Sequence, residues 1–198
     1  GEKRNSYSKT DPDATFMHMK EDHMNNSQLK PGYNVQFAVN SGFVTGIGVF
    51  SDRTDFGTLI PLLGYMQRKH GQKYEKVIAD SGYESLANYR WLEANGQTAF
   101  IKPNNYESSQ KRSFKAQIGR MENMGYYEPD DCFICKNGRH LDFVSKHISH
   151  AKDGTEREIS VYRCEDCSDC PYRSVCCKAK DENRRKEISV CWEFQKMR

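Results

Sequence analysis

The chain has 198 residues and eight cysteines, and none of the eight lies in the first 131 positions. Cys132, Cys135, Cys164, Cys167, Cys170, Cys176, Cys177 and Cys191 all crowd into the last third. This uneven placement divides the chain into a Cys-free part, which must fold on its apolar pattern alone, and a part whose thiols a metal can cross-link. No apolar segment of signal-peptide type opens the chain, and no stretch approaches the roughly 18 apolar residues needed to span a bilayer. The thiols are therefore expected in a reducing, cytoplasmic compartment, where metal ligation or free thiols come before disulfides. Gly1 in place of an initiating Met leads us to expect that both ends are internal to something longer.

Cys132-x2-Cys135 and Cys164-x2-Cys167 are two knuckles, and four thiolates at such spacing close a tetrahedral zinc site. Cys170 and Cys176, with His140, His147 and His150, would leave ligands over, so two ions or alternative ligand sets stay open. The run Cys164, Cys167, Cys170, Cys176 also fits an iron-sulfur cluster, and Cys167-x2-Cys170-x5-Cys176 resembles the cluster motif of some DNA nucleases. Unmetallated thiols are the third alternative. Cys177 and Cys191 read as spares. A redox role is the weakest reading, because Cys132-Phe133-Ile134-Cys135 lacks the strand-helix context of a thioredoxin-like motif. Zinc held by four thiolates would be structural, since no position is left for water, and would supply most of the folding free energy of so small a module.

In the Cys-free part, Tyr33, Val35, Phe37 and Val39 alternate with polar or small residues, the period of a half-buried strand. Asn40-Ser41-Gly42 supplies a turn and Phe43 to Phe50 a second β-rich run, so residues 33–50 read as an antiparallel hairpin. Leu59, Leu62, Leu63 and Met66 recur at helical spacing; Asp55 is the expected cap, Pro61 fits the first turn and Gly71 the end. The run Lys76-Val77-Ile78-Ala79 lacks alternation, as expected of a strand covered on both faces, and ends at Asp80. Ser85 opens a further helix through Leu86, Tyr89 and Leu92 that stops near Gly96, and Thr98 to Ile101 forms another strand. Antiparallel strands followed by alternating helices and strands predict an α/β chain with a mixed sheet and helices on its faces.

Three blocks in this order carry a resemblance. The run Asn5-Ser6-Tyr7-Ser8-Lys9-Thr10-Asp11-Pro12-Asp13-Ala14, then Pro31-Gly32-Tyr33-Asn34-Val35-Gln36, then Ala79-Asp80-Ser81-Gly82-Tyr83 with Asn88 resembles the DDE transposases of bacterial insertion sequences. Tyr162-Arg163-Cys164-Glu165-Asp166-Cys167-Ser168-Asp169-Cys170-Pro171-Tyr172 resembles a Cys-rich segment of one branch of them. The resemblance implies a ribonuclease-H-like catalytic domain, here partial, beside a small Cys-rich, zinc-binding lobe. It implies DNA strand cleavage and transfer at transposon ends, in which three acidic residues hold two Mg2+ or Mn2+ ions. Asp80 matches the second acid. The first normally lies on an Asp-Gly-Thr strand ahead of the segment seen here and the third on a late helix beyond it, and neither motif is present. One Asp cannot position two ions, so the chain is expected to be an internal segment that neither cleaves nor joins DNA by itself.

The implied organisation is 1–125 as the partial catalytic domain, 126–180 as the Cys-rich metal-binding module and 181–198 as a connector. DNA is the implied partner, with a homodimer of the parent and a bacterial cytoplasmic location. The alternative is a metal-stabilised, nonenzymatic DNA- or protein-binding module derived from a decayed transposase. Thirty Lys+Arg against 27 Asp+Glu leave a net charge of only +3, which excludes a purely electrostatic nucleic-acid coat. Local basic runs remain: Lys136, Arg139, Lys146, Arg163, Arg173, Lys178, Lys180 and Arg184 to Lys186 among the cysteines, and Lys111, Arg112, Lys115 and Arg120 on an expected helix or connector over 107–126. Asp11 and Asp13 read as turn residues around Pro12, Asp52 and Asp55 as helix-capping residues, His18 and His23 as surface groups, and Tyr83 as a buried aromatic beside Asp80.

Overall fold

The computed structural model describes residues 7–18, 28–71, 73–177, 181 and 183–198. His23, Lys178, Lys180 and the Asn5-Ser6 start of the first block lie outside them. The chain divides into two compact units, residues 1–102 and 103–198.

In the first unit β1 (Thr15–His18) pairs antiparallel with β2 (Leu29–Gly32), and β3 (Asn34–Asn40) with β4 (Phe43–Phe50). Ser41 and Gly42 both take positive φ, 50° and 83°, the conformation a two-residue hairpin turn requires. The register shifts after Ala38 and leaves Thr45 as the extra residue, its hydroxyl donating to Ala38 O at 3.3 Å. Helix α1 (Leu59–His70) lies against β4 and buries Leu59, Leu62, Leu63 and Met66. Its approach is close: a Cβ on Gly46 would stand 2.5 Å from Met66 Sδ. Each of these apolar side chains gains about 1.5–3 kcal/mol by leaving water. Strand β5 (Lys76–Ala79), α2 (Leu86–Ala94) and β6 (Thr98–Ile101) form a parallel strand-helix-strand unit. Ser85 caps α2 as expected, its hydroxyl accepting from Asn88 N at 3.1 Å.

Four sequence expectations are revised here. Alternation located β3 and β4 but assigned the wrong face: Gln36 is 6% exposed, whereas Phe37 and Val39 on the presumed inner face are 60% and 62% exposed. The polar face is drawn inward because Asn34 and Gln36 bond Asp55. Asp55 consequently does not cap α1; it opens a 3-10 turn (Asp55–Gly57), and Thr58 takes the N-cap position. The strand β5 is covered on one face only, with Val77 buried and Ile78 84% exposed. The hairpin and the parallel pair are separate two-stranded sheets, not neighbours in one mixed sheet.

The second unit is an antiparallel sheet of order β11-β10-β9-β8-β7, built from β7 (Gly125–Tyr127), β8 (Cys132–Ile134), β9 (His140–His150), β10 (Glu156–Cys164) and β11 (Glu187–Val190). Segment 107–126 is not one helix: α3 (Tyr106–Ser109) and α4 (Arg112–Lys115) each make about one turn before β7. Helix α5 (Arg173–Cys176) is as short, and α6 (Trp192–Met197) has six residues. Met124, Phe133, Leu141, Tyr162, Cys164, Cys167, Ile188 and Val190 form the core, with Cys135, Cys176 and Trp192 packed against it. Tyr162 anchors its polar edge: its hydroxyl donates to Asp131 Oδ1 at 2.6 Å and accepts from Trp192 Nε1 at 2.9 Å.

Candidate functional site

Asp80 follows β5 directly and opens a 3-10 turn (Ser81–Tyr83), its Oδ1 accepting from Gly82 N at 2.8 Å. The carboxylate is exposed. Asp55 comes to the same place from the turn ahead of α1. A Cβ added to Gly82 would stand 2.8 Å from Asp55 Oδ2 and 3.0 Å from Asp80 Oδ1, so a side chain there would displace the carboxylates that flank this turn. Asn34 Nδ2 and Gln36 Nε2 both donate to Asp55 Oδ1, at 2.7 and 2.8 Å, which fixes that carboxylate and leaves Oδ2 toward Gly82. Asn88 ties the two turns together, its buried Nδ2 donating to Tyr83 O at 2.7 Å and to Phe56 O at 3.1 Å.

The electrostatics follow from this packing. Burial, then the negative charges of Asp55 and Asp80, push the Tyr83 phenol up to about 12, so it stays protonated beside two carboxylates. Tyr83 is half-buried rather than buried as expected, because it sits in the turn after β5, which buries none of its residues. A cavity of about 360 Å³ opens next to Asp80 and Tyr83, lined by Phe37 to Asn40 of β3, Leu62 and Met66 of α1, and Lys76 to Ala79 of β5. Among the described residues β3 pairs only with β4 and β5 only with β6. Each therefore presents one unpaired edge.

Oxygen donors are the chemistry a hard divalent cation asks for, and two carboxylates side by side fit it in kind. Among the described residues no third His, Cys, Asp or Glu joins Asp55 and Asp80 within ligand distance. Asp11 and Asp13 form the turn expected of them, with Asp11 Oδ1 accepting from Asp13 N at 3.2 Å and Tyr33 OH donating to Asp11 Oδ2 at 2.9 Å. His18 is an exposed strand end.

In the second unit the six spaced cysteines do not all face one way. Cys132 and Cys135 are three residues apart along and just past a strand, where side chains alternate. Cys132 is fully buried and its Sγ lies 3.8 Å from His140 Nδ1. Burial and the charges of Asp130, Asp142 and Asp131 push its thiol up. Cys135 packs instead, like Cys176, against the core to which Cys164 and Cys167 belong. Burial raises the Cys164 thiol, and Cys167 and Cys135 raise it further against a lowering hydrogen bond to the Asp166 backbone. Burial likewise raises Cys176, which also feels Cys135, Cys167 and Cys170.

Much of the basic character is paired within this unit. Arg139 bonds Asp166 at 2.9 Å, Lys146 bonds Glu158 at 3.0 Å, Arg120 bonds Glu122 at 3.3 Å, and Arg163 bonds Glu187. His150 Nε2 lies 3.3 Å from Glu156. Lys111, Arg112 and Lys115 are exposed. No helix among the described residues is long and apolar enough to cross a membrane. Sequence reasoning missed the pairing of Asp55 with Asp80; the signal for it was the polar Asn34-x-Gln36 repeat inside an otherwise apolar strand.

No curated protein and no solved structure matches the chain. A family model described as a transposase DDE domain matches residues 4–165, and a second model of the same description matches residues 134–198. The first covers the Asp80 turn, Asn88 and the hairpin that holds Asp55, and the second takes over within the antiparallel sheet. The chain belongs to the transposase DDE domain family.

Proposed function

We propose that the first unit supplies part of a ribonuclease-H-like catalytic site for DNA transposition, with Asp80 as one of the carboxylates that hold divalent metal. The observation that carries this reading is the convergence of Asp80 and Asp55 on Gly82, beside a cavity and a phenol that stays protonated. Mg2+ or Mn2+ bound there would activate an attacking oxygen and stabilise a leaving one on the DNA backbone. Asp80 contributes a free oxygen and a position set by its bond to Gly82 N; Asp55, held by Asn34 and Gln36, contributes charge at a fixed place.

The open edges of β3 and β5 support an incomplete catalytic sheet. A further strand between them would pair with both, cover the cavity and bring its own side chains next to Asp80. That is where a first acid would stand. On this reading the chain by itself does not cut DNA. Incubating it with supercoiled plasmid and Mg2+ or Mn2+ should leave the plasmid closed, and nicking that Asp80→Ala abolishes would overturn the claim of inactivity.

The second unit is read as a zinc-stabilised lobe, with Cys135, Cys164, Cys167, Cys170 and Cys176 as the thiolate pool. Cys135 and Cys176 pack against the core that contains Cys164 and Cys167, which supports it, although no three of these thiols lie within 4.8 Å of one another among the described residues. DNA is the partner expected of the whole, through the exposed Lys111, Arg112 and Lys115. Replacing these three should weaken binding to duplexes of any sequence and flatten its salt dependence; unchanged binding would remove them from the DNA interface.

A further inference from the structure

Cys132, His140 and Asp142 bring three donor atoms within 4.8 Å of one another, and they are the one such group of three among the described residues. The sheet explains how. Cys132 stands directly opposite Asp142 in the β8–β9 pairing, and His140, two residues before Asp142, projects from the same face. One buried residue and two exposed ones converge on that face.

We propose that Cys132, His140 and Asp142 form a second metal site, separate from the thiolate pool around Cys135, that takes a thiophilic divalent ion such as zinc. The distances suit it. For tetrahedral zinc with a sulfur and a nitrogen ligand, the two donors stand about 3.6 Å apart, and Cys132 Sγ lies 3.8 Å from His140 Nδ1. The donor set suits it too, because a thiolate and a carboxylate carry two negative charges and a neutral imidazole none, which a divalent cation balances. A thiolate with imidazole selects zinc over Mg2+ or Ca2+. Three protein ligands leave the fourth position to water, on the side where His140 and Asp142 are exposed. Glu165 fixes the backbone of His140: its Oε1 accepts from His140 N at 3.3 Å and its own N donates to His140 O at 3.0 Å. The nearby Asp131 is already engaged by Tyr126 OH and Tyr162 OH. The inference does not rest on the transposition reading.

The test is the zinc-to-protein ratio of the full chain after dialysis against zinc, read by native mass spectrometry. His140→Ala and Asp142→Asn change exposed side chains, so both should keep the wild-type circular dichroism while each loses one zinc per chain. Cys135→Ser should retain that ion, and Cys135→Ser with His140→Ala should hold fewer than either alone. An unchanged ratio in His140→Ala and Asp142→Asn would reduce the contact to a thiol–imidazole hydrogen bond and overturn the proposal. A Cys135→Ser variant that loses one zinc as His140→Ala does, with no further loss in the double variant, would mean one shared ion, which overturns the separateness of the site.

Discussion

The side-chain amide of Asn88 donates to the Tyr83 carbonyl at 2.7 Å, and the same nitrogen reaches Phe56 O at 3.1 Å. One buried amide thereby holds the turn that carries Asp80 against the turn that carries Asp55. Replacing Asn88 with Ala leaves the Tyr83 and Phe56 carbonyls, both partly buried, without their donor. The expected loss is roughly 1–3 kcal/mol of unfolding free energy, checked by urea titration of the purified chain.

Gly82 is the point on which the two acids close. Gly82→Ala drives a methyl group to within 2.8 Å of Asp55 Oδ2 and 3.0 Å of Asp80 Oδ1, so one carboxylate must move. We expect a stability change of no more than about 1 kcal/mol, because the displaced groups are carboxylate tips, together with weaker Mn2+ binding measured calorimetrically. Unaltered Mn2+ affinity would mean that the two acids do not act as a pair.

The apolar residues of the first unit differ sharply in what they contribute. Ile78 is 84% exposed, so Ile78→Ser should shift stability by no more than about 0.5 kcal/mol and improve solubility. Leu92 is fully buried, and Leu92→Ala should cost about 2–5 kcal/mol. Thermal unfolding of both variants distinguishes this from a fold in which β5 is covered on both faces.

Element type was legible because it depends on local patterns. The helix through Leu59, Leu62, Leu63 and Met66 and the Ser85 cap both stand where spacing put them. The facing of β3 was not legible, since alternation gives a period and not a phase, and the deciding partner of Gln36 is Asp55, far along the chain. The five-stranded sheet of the second unit escaped notice for a related reason. The strands β8 and β7 have three residues each, too short to show a period, and β9 is exposed along most of its length. Cysteine spacing raised the expectation of metal ligation but could not divide Cys132 from Cys135; that division comes from the strand in which Cys132 sits.

Metal removal should act on one unit. With a core built around Cys164 and Cys167, treatment with a strong chelator is expected to unfold residues 103–198 and to spare most of the helical signal of α1 and α2. Circular dichroism in the far ultraviolet, followed before and after chelation, reads this directly. A spectrum that does not change would leave the cysteines as packing residues.

The central claim is that Asp80 holds divalent metal with Asp55 at its side. Titration of the chain with Mn2+, followed by electron paramagnetic resonance of the free ion, tests it most directly. The account predicts an Mn2+ site in the wild-type chain that Asp80→Ala removes and Asp55→Asn weakens, with circular dichroism unchanged in both. Equal Mn2+ binding in the wild type and Asp80→Ala would contradict it.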